Sequence, residues 1–283
     1  MLRRLLRGIA SLLTTTALWG SSFPAIKIVV GSIDSIGYTW WRGLLTTFFL
    51  SPYILVMYRR GRIERDTLIG GAITGVAYTL GLWLQGWGTS YTSASNSAFI
   101  TALHMIWVYV YVAIITRRYS YETFTALLVA LYGVYLLSRP YGGIGKGEVL
   151  VLAGSFMWAL QVILVDKYSH GDPIQFTFSQ ISVSTSFIIL DILDMEIEKP
   201  NLLTFSVLAY LAFVSCTAFA FQVYGQRYIK PEVAVLIYQL EPVFAAFFSV
   251  VAISETIYPQ QAAGGILIIT SVAIASRKAE KHY

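Results

Sequence analysis

Glu241 stands about ten residues into a long apolar run and is followed at once by Pro242. A carboxylate at that depth of a membrane helix costs about 2.5–3.5 kcal/mol or more, so its presence calls for a role. Two roles fit. It can face a cavity and bind a proton or a solute amine, or it can accept hydrogen bonds from a buried cation such as Lys27 or Arg42. Pro242 removes an intrahelical hydrogen bond and disturbs the helix at that place. His104 lies at the corresponding place in an earlier apolar run. An imidazole there can titrate in partnership with Glu241 or serve as an ordinary hydrogen-bonded core histidine. Lys27 and Arg42 sit near the ends of their runs, where each can snorkel to the interface or attract an anionic, carboxylate-bearing solute.

Catalytic arrangements are scarce. His104, His170 and His282 are too scattered for a metal site or a nucleophilic triad, and no Gly-x-Ser-x-Gly occurs. The segment Gly142-Gly-Ile-Gly-Lys-Gly147 only superficially matches a phosphate loop. It lacks the first glycine at the required spacing and the following Ser or Thr. No enzyme, metal or cofactor is expected.

These residues must be positioned by membrane helices. Of 283 residues, 56% are hydrophobic and only 12% charged, with mean hydropathy +0.65. Soluble domains carry about 25% charged residues. No Asp, Glu, Lys or Arg occurs from Thr67 to Thr116, nor from Pro200 to Gln226. Each stretch exceeds the ~20 residues that cross a bilayer. A soluble one- or two-domain enzyme is excluded. Apolar runs bounded by charge or turn residues give ten helices, near 9–30, 36–58, 67–88, 93–115, 121–138, 148–166, 173–192, 203–224, 231–252 and 259–276.

Threading ten spans from a cytoplasmic N-terminus leaves 15 Lys or Arg inside and three (Arg139, Lys146, Lys199) outside. Both termini are therefore expected in the cytoplasm of a multi-pass cell-membrane protein. The pI near 9.2 then reflects this asymmetry and not a nucleic-acid partner. A cleaved signal at the basic N-terminus is the weaker reading, because the first run is needed as a helix. The single Cys216 permits no intramolecular disulfide.

The two halves resemble each other. Leu18-Trp19-Gly20 matches Met157-Trp158-Ala159, and Tyr91–Trp107 aligns without gaps with Tyr228–Phe244, at offsets of 139 and 137 residues. Five helices per repeat force the second half to enter the membrane from the opposite side, with a site expected near the midplane between repeats. The expected units are a first repeat over 1–140, a linker over 141–147, a second repeat over 148–276 and a cytoplasmic tail over 277–283. Small residues around Ser93–Ala98 and at Gly264 and Gly265 suit close helix packing.

Several motifs stand in one order. They are Ala17-Leu-Trp-Gly-Ser-Ser-Phe23 with Lys27, then Arg42, Tyr91-Thr-Ser-Ala-Ser-Asn96, Leu240-Glu-Pro-Val-Phe-Ala-Ala246, and Ser254-Glu255. Together they resemble the drug/metabolite transporter superfamily, in its ten-helix EamA-type branch. One departure is Arg117-Arg118, where members often carry Gly-Glu. The resemblance implies an all-α integral membrane fold in which helices one, three, four, six, eight and nine line a central cavity, while five and ten pack outside. The candidate cavity residues are Trp19, Phe23, Lys27, Arg42, Trp83, Gln85, His104, Trp107, Trp158, Gln161, Tyr224, Tyr238 and Glu241. The expected activity is secondary transport of small organic solutes (metabolites, amino acids or drug-like compounds) by alternating access, in the export direction, with possible proton coupling. The expected partners are the solute and the bilayer, for a monomer or homodimer. The alternatives are a lipid or lipid-precursor translocator and, from another class, an integral membrane enzyme.

Overall fold

The computed structural model describes residues 2–92, 94–117, 121–138, 145–195, 197–253 and 258–281. Ser93, Arg118, residues 141–144 of the expected linker, Ser254 and Glu255 lie outside the described residues. The described chain is helical and forms ten spans. Six are single helices: Ser35–Arg59, Arg65–Tyr91, Tyr121–Ser138, Lys146–Tyr168, Leu202–Gln226 and Pro259–Lys281, which are spans two, three, five, six, eight and ten. The other four are interrupted. Span one is Leu2–Gly20 with Ser22–Val30, and span four is Ala94–Ala102 with His104–Thr116. Span seven is Pro173–Ser182 and Ile188–Asp194 joined by a 3₁₀ turn, and span nine is Pro231–Tyr238 with Glu241–Ile253. Among the described residues, five stretches are long and apolar enough to cross a membrane by length and composition alone.

The interruptions have local causes. Pro24 sits in the first turn of the second half of span one, where Ser21 and Ser22 turn their hydroxyls back onto the carbonyls of Leu18 and Trp19. Pro242 occupies the second position of the helix that Glu241 opens, which suits its missing N–H. In span seven, Ser182, Ser184 and Ser186 each bond the carbonyl three residues back and tighten the turn. Span one begins at Leu2, earlier than the apolar run suggests, because Leu5 and Leu12 pack inward while Arg3, Arg4 and Arg7 stay on the exposed face.

The inverted repeat is written into side-chain contacts. Asp34 caps span two through the N–H groups of Ile36 and Gly37, and Asp172 caps span seven through those of Ile174 and Gln175. The backbone N–H of Asp172 donates to Glu64 Oε2 at 2.6 Å, on the face bearing both termini. On the opposite face, the N–H of Asp34 donates to Glu198 Oε2 at 2.7 Å. Each repeat thus holds the cap of the other, once per face. Glycine crossings follow the same rule. A Cβ on Gly88 would stand 2.7 Å from the Gly147 carbonyl oxygen, and one on Gly225 would stand 3.1 Å from that of Gly8. Span three therefore crosses span six at one face as span eight crosses span one at the other.

The terminal face is clamped further by Arg227, which donates through Nε to Ser169 O at 2.7 Å and through Nη2 to Gly171 O. Partial burial draws this guanidinium below its ordinary pKa, opposed by Tyr228, Asp172 and Glu64. Two apolar cores flank the centre. One joins the first half of span one with spans four, five, six, nine and ten. The other joins the second half of span one with spans two, three, seven and eight, and Trp19 packs on both.

Candidate functional site

The interrupted spans one, four and nine meet at the centre of the bundle. Gly20 ends the first half of span one against the break in span nine, and a Cβ there would lie 2.8 Å from the Glu241 carbonyl oxygen. Gln239 in the break of span nine donates through Nε2 to the Ala102 carbonyl, freed by the break of span four, at 3.1 Å. His104 and Glu241 each open the half-helix after the break, 137 residues apart. Both sit where the dipole of the half-helix is positive, which favours a negative charge nearby.

A cavity opens between these elements. It is lined by Trp19, Ser22, Ile26, Arg42, Gln85, Thr101, His104, Trp158, Gln161, Val162, Phe219 and Glu241. The space free to water centres is about 40 Å³, room for about three water molecules. Phe219 forms one wall, tilted against Trp19 at 5.2 Å and stacked with Trp158 at 6.2 Å. The indole nitrogens of both tryptophans are buried without an acceptor among the described residues.

The polar groups differ in how they are held. His104 Nδ1 lies 2.8 Å from the Thr101 carbonyl, which can only accept. Nδ1 is thus the protonated nitrogen, and Nε2 carries the lone pair in the neutral ring. Arg42 donates through Nε to Ser215 Oγ at 2.8 Å and through Nη1 to Tyr38 OH at 2.6 Å. Gln161 exchanges hydrogen bonds with Gln222 at 3.0 and 3.1 Å and donates to Gln180 at 3.2 Å, tying spans six, seven and eight. Among the described residues no side chain donates to the Glu241 carboxylate, and neither Lys27 nor Arg42 forms an ion pair with it.

Seven of the sequence-derived candidates line the cavity: Trp19, Arg42, Gln85, His104, Trp158, Gln161 and Glu241. The other six lie elsewhere. Lys27 donates to the carbonyls of Thr89 at 2.7 Å and Thr92 at 2.8 Å, capping the C-terminal end of span three. Trp83 stacks on Trp87, and Trp107 donates to Ser155 Oγ at 3.1 Å. Tyr238 is buried behind Trp19 at 5.2 Å and donates to Gln226, while Tyr224 packs against Tyr228. Phe23 is buried outside the lining. Sequence reasoning missed five of the lining residues, Ser22, Ile26, Thr101, Val162 and Phe219. Ser22 and Thr101 lie three residues from Trp19 and His104, a helical spacing that could have flagged them. Among the described residues no group of His, Cys, Asp or Glu is arranged to hold a metal ion.

The pattern of the EamA-like transporter family matches residues 6–139 and matches again over 145–277. The chain belongs to that family. An uncharacterized transporter of Archaeoglobus fulgidus is 29% identical over 270 residues, covering 92% of this chain and 82% of that protein. One from Methanothermobacter thermautotrophicus is 25% identical over 299 residues, covering 96% of this chain and 86% of that one. A solved crystal structure shares the fold with a TM-score of 0.76 at 15% identity, covering 97% of this chain and 98% of that one. This EamA-like transporter is therefore a multi-pass membrane protein built from two copies of one five-helix unit. Its cavity lies where the broken helices of the two copies meet.

Proposed function

We propose that this EamA-like transporter is a secondary transporter of small organic solutes, working by alternating access in the export direction, with both termini in the cytoplasm. The observation that carries the reading is the central cavity. It holds aromatic walls and a carboxylate free of any ion pair among the described residues, and it sits where repeat-related breaks in spans four and nine touch. Broken helices at a repeat interface supply backbone dipoles and adaptable geometry for a solute. Two inverted copies of one unit can exchange conformations, so that whichever face opens, the other repeats the closed arrangement. Glu241 and His104 are the groups that take up the coupling proton.

The test is transport in proteoliposomes against a panel of metabolites, with and without a proton gradient, beside a fluorescent-lipid translocation assay. Movement of at least one solute, driven by the gradient, is the expected result. Lipid movement with every solute inert would replace this reading with a lipid translocator. Orientation is checked in the same preparation. In a Cys216→Ser background, Asp194→Cys should react with an impermeant thiol reagent from outside and Arg62→Cys should not. Reaction of Arg62→Cys from outside would reverse the assigned orientation.

The paired carboxylate latches give a prediction of their own. Glu64 holds span seven on the terminal face, and Glu198 holds span two on the other. Each is exposed, so its worth is at most about 1 kcal/mol, about fivefold in population. Glu64→Ala should raise the reactivity of single cysteines near the terminal mouth of the cavity, and Glu198→Ala those near the opposite mouth. Shifts of both variants toward the same face would contradict the exchange described here.

A further inference from the structure

Lys27 and Arg42 look alike in the sequence, each a lone basic residue near the end of an apolar run. Lys27 is employed: three carbonyls at the end of span three receive its ammonium, at 2.7, 2.8 and 3.4 Å. Arg42 is more deeply buried, with 3% of its surface exposed. Its two hydrogen bonds go to neutral hydroxyls, of Ser215 and Tyr38. Among the described residues no carboxylate pairs with it, and Nη2 has no acceptor.

A buried guanidinium without an anion is expensive unless an anion arrives. The surroundings point the same way. Trp19 and Trp158 supply aromatic surface beside the guanidinium. They sit at repeat-related positions and, with Arg42, line one cavity. Arg42 thus keeps unfilled donor hydrogens at a space of a few water molecules, large enough for a compact head group. Phe219 between the two indoles offers an apolar wall for whatever the head group is attached to. The two hydroxyls take the Nε hydrogen and one Nη1 hydrogen, leaving one Nη1 and both Nη2 hydrogens of a planar fork that suits a two-oxygen acceptor.

We propose that Arg42 forms a carboxylate subsite in this cavity, with the Trp19, Trp158 and Phe219 rings as its walls, so that the transported solute carries a carboxylate attached to an apolar or aromatic body. This rests on the reading of the protein as a solute transporter and narrows it to a substrate class. A phosphate diester or a neutral amide would satisfy the donors less well. The diester lacks the compact planar edge, and the amide lacks the charge.

The experiment uses the full-length protein, with carboxylates and their isosteric amides: benzoate and benzamide, phenylacetate and phenylacetamide, hexanoate and hexanamide. Binding is read from thermal stabilisation, and uptake is read in proteoliposomes. At least one carboxylate should bind about tenfold or more tightly than its amide, the range set by a charge-assisted hydrogen-bond pair. Arg42→Gln should erase that preference, and Arg42→Lys should keep part of it. Should Arg42→Gln fail to fold, Arg42→Lys carries the test, because it keeps the charge, loses the planar fork and should lower the preference severalfold. Equal binding of every pair by the wild-type protein, or a preference that persists undiminished in the variants, overturns the subsite. If the carboxylates are inert while other panel solutes are still carried, the subsite falls and the transport reading stands. If no solute of any charge moves, the transport reading falls as well.

Discussion

Glu241→Gln is expected to abolish the response of transport to an imposed proton gradient while the protein remains folded. The substitution keeps the shape and most of the hydrogen bonding of the protonated acid and removes the ability to lose a proton. Transport driven by a gradient should fall to the level seen without one. Stability should stay within about 1 kcal/mol of wild type, the worth of an ordinary hydrogen bond. The alternative role, as partner of a buried cation, predicts something different. Breaking a buried pair costs about 3–5 kcal/mol, and such a variant would express poorly and melt early. The geometry favours the first outcome, because Lys27 is held by carbonyls and Arg42 by hydroxyls. A stable Glu241→Gln protein with an undiminished response to the gradient would remove Glu241 from the coupling step.

Gly20→Val should disable the protein by a different route. A Cβ at Gly20 would meet the Glu241 carbonyl oxygen and the Phe244 Cβ at 2.8 Å and the Ala245 nitrogen at 2.9 Å. Two of these three atoms are backbone and cannot swing aside, so the break in span nine must move. Overpacking of this kind costs about 1–3 kcal/mol, and it displaces Glu241 from the cavity that Trp19 shares with it. Thermal unfolding should show the loss, and transport should fall by more than tenfold, since a misplaced group of this kind disables a site well beyond its effect on stability. Gly265→Ala is the control. A Cβ there meets nothing within 4 Å, and alanine in a helix is favoured over glycine by roughly 0.5–1 kcal/mol. That variant should melt at or slightly above wild type and transport normally. Equal behaviour of the two variants would separate the cavity from the crossing of spans one and nine.

The sequence by itself determined the number of spans and the relation between the halves. In lipid every backbone polar group must be paired within its own segment, so apolar run length translates directly into helices. Parity then follows: five spans per repeat put the copies in opposite orientations. The ungapped match of Tyr91–Trp107 with Tyr228–Phe244 likewise placed His104 opposite Glu241, and the structure begins a half-helix at each. The break in span nine was legible through Pro242, whose ring and missing N–H act locally. The break at Leu103 in span four carries no such mark. It is set by packing and by Gln239, which reaches across to the Ala102 carbonyl.

Only the tertiary structure decided which candidate faces what. Trp19 and Trp158 reach the cavity, while Trp83 and Trp107, equally deep in their runs, turn to Trp87 and Ser155. Lys27 and Arg42 part in the same way, as do the glycines, since nothing in the sequence tells Gly88 that its neighbour is Gly147. The latches of Glu64 and Glu198 were also invisible, being loop residues whose partners lie more than a hundred positions away. Helical period fixes the face of its own helix on which a side chain sits. The neighbour that face meets depends on how non-adjacent helices cross, and those crossings are settled by close contacts between spans distant in the chain.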